Sequence, residues 1–203
     1  MRLRLVLLPL GVAAPSIPAQ NTSRGVQLFE SHERAAAKAK LSAAVQLNDR
    51  DARAHYYVGR LALIENDPAA VEREMDAAIA AAPDSLRAYS ALANWYARVA
   101  KWPQAFATVD RYIARRPDDP YGPNAIGRIA ALCGQQLARG EQGIRAFLAK
   151  PPKDAAPPVL ARAYLRLGQV LEHQGKRAEA RSAIEQAVAL DPRNQEAKKA
   201  VKS

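Results

Sequence analysis

Residues 161–194 read ARAYLRLGQVLEHQGKRAEARSAIEQAVALDPRN. Apolar and small side chains recur every three to four residues on both sides of Gly175, which is the pattern of two amphipathic helices joined by a short turn. Pro192 ends the second segment, because proline cannot extend the helix that precedes it. This stretch predicts a pair of helices with which the rest of the chain can be compared.

The same pattern of prolines repeats along the chain. Pro83, Pro117 and Pro151 are spaced 34 residues apart, and Pro192 follows after one further period and a seven-residue insert. Each proline ends one segment of apolar periodicity and precedes another. A spacing kept in this way predicts an array of similar helix pairs.

Two positions of each period indicate how the paired helices would pack. The eighth position is small, as it must be where two helices touch, and the twenty-fourth carries a larger apolar side chain. The small residues are Gly25, Gly59, Ala93, Gly127 and Gly168, and the larger ones are Leu41, Met75, Val109 and Ile184. In the fourth period Arg139 and Gly143 stand at positions that should be buried. We therefore expect the second helix of that period to be short, shifted or loosely packed.

This arrangement resembles the tetratricopeptide repeat (TPR), in a protein of the exported bacterial type. The matching residues of the last period are Tyr164, Leu167, Gly168, Leu171, Gly175, Ala180, Ile184, Ala187 and Pro192. The resemblance implies an all-α fold, a right-handed α-solenoid of about five helix-turn-helix repeats with a C-terminal capping helix. Residues 20–203 then form a single TPR array. Its units are expected at about 20–51, 52–85, 86–119, 120–153 and 161–194, with a Pro-rich extended insert at 151–158 and a capping helix at 194–202.

The first 19 residues have the features of a secretory signal peptide. Arg2 and Arg4 are followed by ten mostly apolar residues, Leu5 to Ala14, and a transmembrane helix would need about 20. Cleavage is expected after Ala19, so the protein is predicted to be exported and to be periplasmic or secreted. The alternative is a hydrophobic helix that caps the first repeat.

Composition and motifs give no sign of catalysis. The chain contains a single cysteine, Cys133, so no disulfide can form within it. His32, His55 and His173 fall in different repeats and do not have the spacing of metal ligands. No nucleophile motif or phosphate-binding loop is present. We predict no enzyme activity, no cofactor and no metal site.

The net charge of +10 suggests where a partner would bind. The TPR resemblance implies that the first helix of each pair lines a concave groove, and in units two to five these helices contain seven arginines and one acidic residue, Glu172. We predict that the groove binds an acidic, extended segment or a C-terminal carboxylate. The candidate residues are Arg53, Tyr56, Arg60, Arg87, Asn94, Arg98, Tyr121, Asn124, Arg128, Arg162, Arg166 and Gln169. The alternative is a solvated arginine face that has no ligand.

The predicted function is that of a non-enzymatic scaffold or adaptor that binds an acidic protein or peptide partner in the cell envelope. A second interpretation is binding to an anionic polymer or membrane surface through the basic face. Nucleic acid is not expected, because aromatic stacking platforms for single strands are not evident. No transmembrane anchor is predicted, and the sequence leaves the oligomeric state open.

Overall fold

The structure is a computed structural model that describes residues 15–153 and 155–201. Every regular element in these two ranges is an α-helix. The helices are α1 Ile17–Glu30, α2 Arg34–Leu47, α3 Ala52–Glu65, α4 Pro68–Ala81, α5 Leu86–Arg98, α6 Trp102–Arg115, α7 Tyr121–Cys133, α8 Leu137–Ala149, α9 Pro157–His173, α10 Arg177–Leu190 and α11 Gln195–Ala200.

The helices pack as five consecutive pairs, from α1 with α2 to α9 with α10, and each pair also contacts the next. The six-residue helix α11 packs on α10 at the C-terminal end. The predicted all-α solenoid of five helix pairs with a terminal helix is therefore confirmed. The small residues are required for this packing: a Cβ atom on Gly168 would lie 2.4 Å from Cγ1 of Ile184 on the paired helix.

The turns inside the pairs follow the same period as the prolines. His32, Asn66, Ala100, Gly134 and Gly175 all have left-handed backbone angles, with φ between 56° and 76°. The first four are spaced 34 residues apart, and Gly175 follows after the longer period that contains the insert. A residue with positive φ ends the first helix and reverses the chain, so this conformation recurs even where the residue is not glycine.

The fourth pair corrects one expectation. Helix α8 begins one residue later than the period predicts, because the turn before it contains Gln136 as a second left-handed residue after Gly134. Its end at Ala149 stays in register, but its buried positions move by one residue. Ile144 therefore takes the position of the large apolar residue that was assigned to Gly143, and it is fully buried. Gly143 lies directly against the backbone of Pro123 on α7. Of the three expected alternatives, a short, a shifted or a loosely packed helix, the structure shows the shift in the buried positions.

The proline-rich insert is also shorter than expected. Among the described residues of this segment, Pro151–Lys153, Ala155 and Ala156 are not helical, whereas Pro157 and Pro158 form the first turn of α9. Proline is tolerated there because the first N–H groups of a helix have no partner inside it. Helix α9 has 17 residues, against 13 or 14 in α1 to α8.

Most of the predicted signal peptide, residues 1–14, lies outside the described residues. The cleavage site predicted after Ala19 falls in the first turn of α1, which begins at Ile17. Cleavage stays a prediction. None of the helices that the structure describes is long and apolar enough to cross a membrane.

Candidate partner-binding groove

Three neighbouring cavities are lined mainly by α3, α5, α7 and α9, the first helices of the second to fifth pairs. The cavities have volumes of about 300, 630 and 380 Å³, and we call them the N-terminal, middle and C-terminal cavities. Tyr56 and Arg87 line both the N-terminal and the middle cavity, and Leu86 and Ser90 line both the middle and the C-terminal one. The three cavities are thus adjacent and share lining residues, and we refer to them together as the groove.

The groove brings the predicted binding residues together. Eleven of the twelve line one of the cavities: Arg53, Tyr56, Arg60, Arg87, Asn94, Arg98, Tyr121, Asn124, Arg128, Arg162 and Arg166. Gln169, the twelfth, accepts a hydrogen bond of 2.7 Å from Arg166. Their proximity follows from the repeat, because equivalent positions of successive first helices lie on one face of the array.

Aromatic rings support the arginines between the N-terminal and middle cavities. The guanidinium carbon of Arg60 lies 4.6 Å from the ring centre of Phe29, and that of Arg87 lies 5.6 Å from the ring centre of Tyr56. Such cation–π contacts hold a guanidinium in place without neutralising its charge. Both arginines therefore keep N–H groups available for another acceptor.

The C-terminal cavity contains the least solvated charge of the groove. Arg128 is half-buried, and this burial, followed by the nearby charge of Arg166, lowers its pKa to about 10. The guanidinium still carries its proton at neutral pH, but no carboxylate of the described residues lies within ion-pair distance of it. A buried cation without a counter-ion is unfavourable, so this cavity is suited to an anion.

Many acidic residues lie outside the groove, on the side of the second helices, where they form ion pairs between successive repeats. Asp76 on α4 accepts from Arg111 on α6, and Asp110 on α6 accepts from Arg139 on α8. The other pairs between repeats outside the groove are Lys38–Glu65, Lys101–Glu72, Arg115–Asp84, Arg145–Glu179 and Lys176–Glu141. We call this set the outer ion-pair ladder.

The groove arginines contrast with the ladder. Within the described ranges, six of the seven have no carboxylate within ion-pair distance, and these are Arg53, Arg60, Arg87, Arg98, Arg128 and Arg162. The seventh, Arg166, pairs with Glu196 of α11 at 2.7 Å. The groove therefore holds six arginines whose charge is not balanced by a carboxylate contact in the described ranges.

Sequence reasoning missed three features of this site. Leu165, which lies on α9 between the groove residues Arg162 and Arg166, is fully buried with Ile184 and Ala197. Glu196 reaches the groove from the terminal helix. The burial of Arg128 was also not foreseen, since it depends on how three first helices come together. The sequence did contain an indication that Glu196 lies near Arg166, because the two residues are 30 positions apart, which is close to one repeat length.

The described residues contain no group of three or more His, Cys, Asp and Glu side chains that could hold a metal ion. His55 is buried between α3 and α4, where its two ring nitrogens lie 2.8 Å from a Glu74 carboxylate oxygen and 3.0 Å from the Asp49 carbonyl oxygen. These contacts join one helix pair and do not reach the groove cavities.

Comparison with known families identifies the repeat. Residues 161–194, the stretch quoted first, match the family model described as Tetratricopeptide repeat. No curated protein matches the sequence significantly.

Solved structures resemble the whole array. YrrB, described as a TPR protein with an unusual peptide-binding site, has a TM-score of 0.66 and 17% identity over 90% of this chain and 91% of that chain. A thermophilic TPR protein of Thermus thermophilus has a TM-score of 0.65 and 18% identity over 91% and 97% of the two chains. PilF of Pseudomonas aeruginosa has a TM-score of 0.69 and 14% identity over 89% and 79%. At these identities the likeness establishes the fold, which is that of a TPR solenoid.

Proposed function

We propose that this protein is a non-enzymatic scaffold whose arginine-lined groove binds an acidic, extended segment of a partner protein. The TPR fold suggests protein–protein interaction in general. The observation that carries the finer proposal is the segregation of charge: acidic side chains pair along the outer ladder, whereas six groove arginines lack a carboxylate partner in the described part of the chain.

The chemistry of the groove suits a peptide. A guanidinium can donate two parallel hydrogen bonds to one carboxylate, and the amides of Asn94 and Asn124 can both donate to and accept from a peptide backbone. The arginines at both ends of the groove favour a ligand with several acidic side chains. One structural relative, YrrB, is described as having a peptide-binding site, which is consistent with this use of the fold.

Arg128 gives the proposed interaction its strongest anchor. A carboxylate that enters the C-terminal cavity would provide the counter-ion that Arg128 lacks, beside Arg162 and Arg166. Hydrogen bonds to charged groups contribute about 1.5–3 kcal/mol each. The exposed arginines of the N-terminal and middle cavities would contribute less, because water and salt screen their charge.

The test is the affinity for a fluorescein-labelled hexaglutamate peptide, measured by fluorescence anisotropy with hexaglutamine as the neutral comparison. We expect the wild type to bind hexaglutamate selectively and Arg87→Gln/Arg162→Gln to bind it at least tenfold more weakly. Both substituted side chains are exposed and have no carboxylate partner in the described residues, so folding should be unaffected.

The matched control is Arg34→Gln/Lys40→Gln, which removes the same charge from exposed positions on α2 outside the three cavities. Its affinity should stay within about twofold of the wild type, since it changes only the long-range field. Equal weakening by both double variants would refute a groove-specific site.

Salt dependence separates the proposal from binding to an anionic polymer or surface. A heparin fragment or an anionic vesicle neutralises many charges when it binds. Its affinity therefore falls steeply and log-linearly as the salt concentration rises. If those probes bind more tightly than hexaglutamate and are equally affected by both double variants, the basic surface as a whole is the binding site, and the peptide proposal fails.

We further propose that the scaffold acts outside the cytoplasm. Support comes from the charged and apolar pattern of Arg2, Arg4 and Leu5 to Ala14. N-terminal sequencing of the full chain recovered from the periplasm of a bacterial host should give Gln20 as the first residue. Recovery in the cytoplasm with Met1 retained would contradict export.

A further inference from the structure

The chain itself places one carboxylate against the groove arginines in the ranges that the structure describes. Nη1 of Arg166 donates to Oε1 of Glu196 at 2.7 Å, and Nη2 of Arg166 donates to Oε2 at 3.4 Å. Nε2 of Gln169 donates to the same Oε1 at 3.1 Å. Glu196 is thus held by two residues that were predicted from the sequence to bind a partner.

Glu196 lies on α11, a short helix that packs on the array through Ala197 and, in part, Ala200. The helix has six residues, and Ala197 is its buried residue, packed with Leu165, Ile184 and Ala187. The Asn194 side chain caps it by accepting a 3.1 Å hydrogen bond from the Ala197 N–H. A helix of this length is not stable in isolation, and short terminal elements open at the lowest free energies.

The ion pair between Arg166 and Glu196 is accessible to competitors. The Glu196 side chain is 53% exposed, whereas that of Arg166 is 21% exposed. Because the Glu196 carboxylate is open to water, which weakens its attraction to Arg166, another carboxylate can replace it. Arg166 also lowers the pKa of Arg128 through its charge, so the two guanidinium groups act on the same region of the C-terminal cavity.

We infer that α11 is an intramolecular competitor for the groove: Glu196 occupies Arg166 as a carboxylate of the partner would, and an acidic segment must displace it to engage Arg128, Arg162 and Arg166 together. This inference rests on the proposed function. It assigns the C-terminal helix a role in setting the affinity of the groove, in addition to covering the end of the array.

The test compares Glu196→Gln with Glu185→Gln in the hexaglutamate assay. Glu185 is an exposed residue of α10 that pairs with Arg181 in the same helix, so its substitution changes the net charge equally without touching the groove. We expect Glu196→Gln to bind hexaglutamate three- to tenfold more tightly than Glu185→Gln. Equal affinities would overturn the inference, and weaker binding by Glu196→Gln would show that Glu196 positions Arg166 for the ligand.

Hydrogen exchange gives a second measurement on the unaltered chain. Saturating hexaglutamate should accelerate amide exchange in residues 195–200, because displaced Glu196 no longer holds α11. Unchanged or slower exchange there would overturn the competition. If Arg87→Gln/Arg162→Gln weakens binding while Glu196→Gln changes nothing, the inference alone fails. If neither the wild type nor Glu196→Gln binds selectively in the groove, both proposals fail.

Discussion

Arg128 concerns stability as well as binding. Its charge is retained at neutral pH although burial lowers its pKa to about 10. A cation whose pKa is lowered in the folded state destabilises that state at every pH below its folded-state pKa. The reason is that the unfolded chain solvates the charge better. The residue expected to bind the partner most strongly is therefore one that reduces the stability of the free protein.

Replacing Arg128 with Met should stabilise the protein. Methionine keeps an apolar stem in the cavity and removes the buried charge, so we expect the free energy of unfolding to rise by about 1–3 kcal/mol while hexaglutamate binding is lost. Urea denaturation between pH 5 and 9 should show the same increase in the free energy of unfolding at every pH. This window lies below the pKa of Arg128 in the folded protein and below that of arginine in the unfolded chain.

Arg98→Met is the control for this change, because Arg98 is an exposed arginine of the same groove. Its effect on unfolding should stay within about 0.5 kcal/mol. Destabilisation by Arg128→Met would show that the guanidinium supports the fold and would contradict the account of a buried, uncompensated charge.

At the scale of the element, the turn inside each helix pair is set by backbone conformation more than by residue type. The left-handed residue is Gly134 or Gly175 in the last two pairs but Ala100 in the third, where φ is 56°. A side chain makes this conformation unfavourable for alanine, because Cβ comes close to the following carbonyl oxygen.

Ala100→Gly should therefore stabilise the third pair. We expect an increase of about 0.5–1 kcal/mol in the free energy of unfolding, reduced from the full left-handed penalty by the greater freedom of glycine in the unfolded chain. Ala107→Gly, at an exposed position inside α6, should destabilise by a similar amount. Thermal denaturation followed by circular dichroism measures both, and equal destabilisation by both substitutions would contradict the turn argument.

At the scale of the whole molecule, the outer ion-pair ladder adds charged contacts between repeats that are already packed as neighbours. Glu141 on α8 accepts hydrogen bonds from Lys176 and Arg145, each at 2.8 Å, and Arg145 also donates to Glu179 on α10 at 2.8 Å. The hydrogen bond from Lys176, aided by those from Arg145 and Gln174 and opposed by burial, lowers the pKa of Glu141 to about 2. The fourth and fifth pairs are coupled by this cluster.

The contribution of Glu141 should depend on pH. A carboxyl group whose pKa is lowered in the folded state stabilises it above the unfolded pKa, and this contribution is lost as pH falls through the folded value. Glu141→Gln should lower the free energy of unfolding by about 1–2 kcal/mol at pH 7, after a discount for the exposed partners. The difference should shrink below about pH 4.5 and vanish near pH 2.

Glu185→Gln serves as the comparison for Glu141→Gln, because it removes a carboxylate from a pair within one helix. Its effect should stay near 0.3–0.5 kcal/mol. Urea titrations at pH 7, 4 and 2 provide the data. A loss that is independent of pH for Glu141→Gln would show that packing, and not charge, links the two pairs.

The sequence predicted the fold well because the period is carried by residues whose physical roles are local. Proline ends a helix wherever it stands, and a small residue such as Gly168 is needed wherever two helices approach closely. The same pattern predicted that the groove arginines lie together, since residues one repeat apart share a face of the array. The one-residue shift of α8 was harder to locate, because it depends on a turn conformation at Gln136 that its residue type does not specify.

The electrostatic details of the groove could not be predicted from the repeat spacing of the sequence alone. Leu165 occupies a groove-facing position of the repeat, but the terminal helix makes it part of the core. Glu196 reaches Arg166 only through the angle at which α11 packs on α10. The desolvation of Arg128 results from the joint position of α5, α7 and α9, which line its cavity. These are properties of the assembled array.

The link between α8, which ends at Ala149, and α9, which begins at Pro157, has a consequence for how such a protein can diverge. Arg128 lies before this link, and Arg162 and Arg166 lie after it, so the separation of the guanidinium groups depends on how α9 is spaced from α7. Insertions or deletions in the link would adjust the width of the C-terminal cavity while every arginine is retained. Relatives with identical groove residues but spacers of other lengths would then select acidic segments of different bulk.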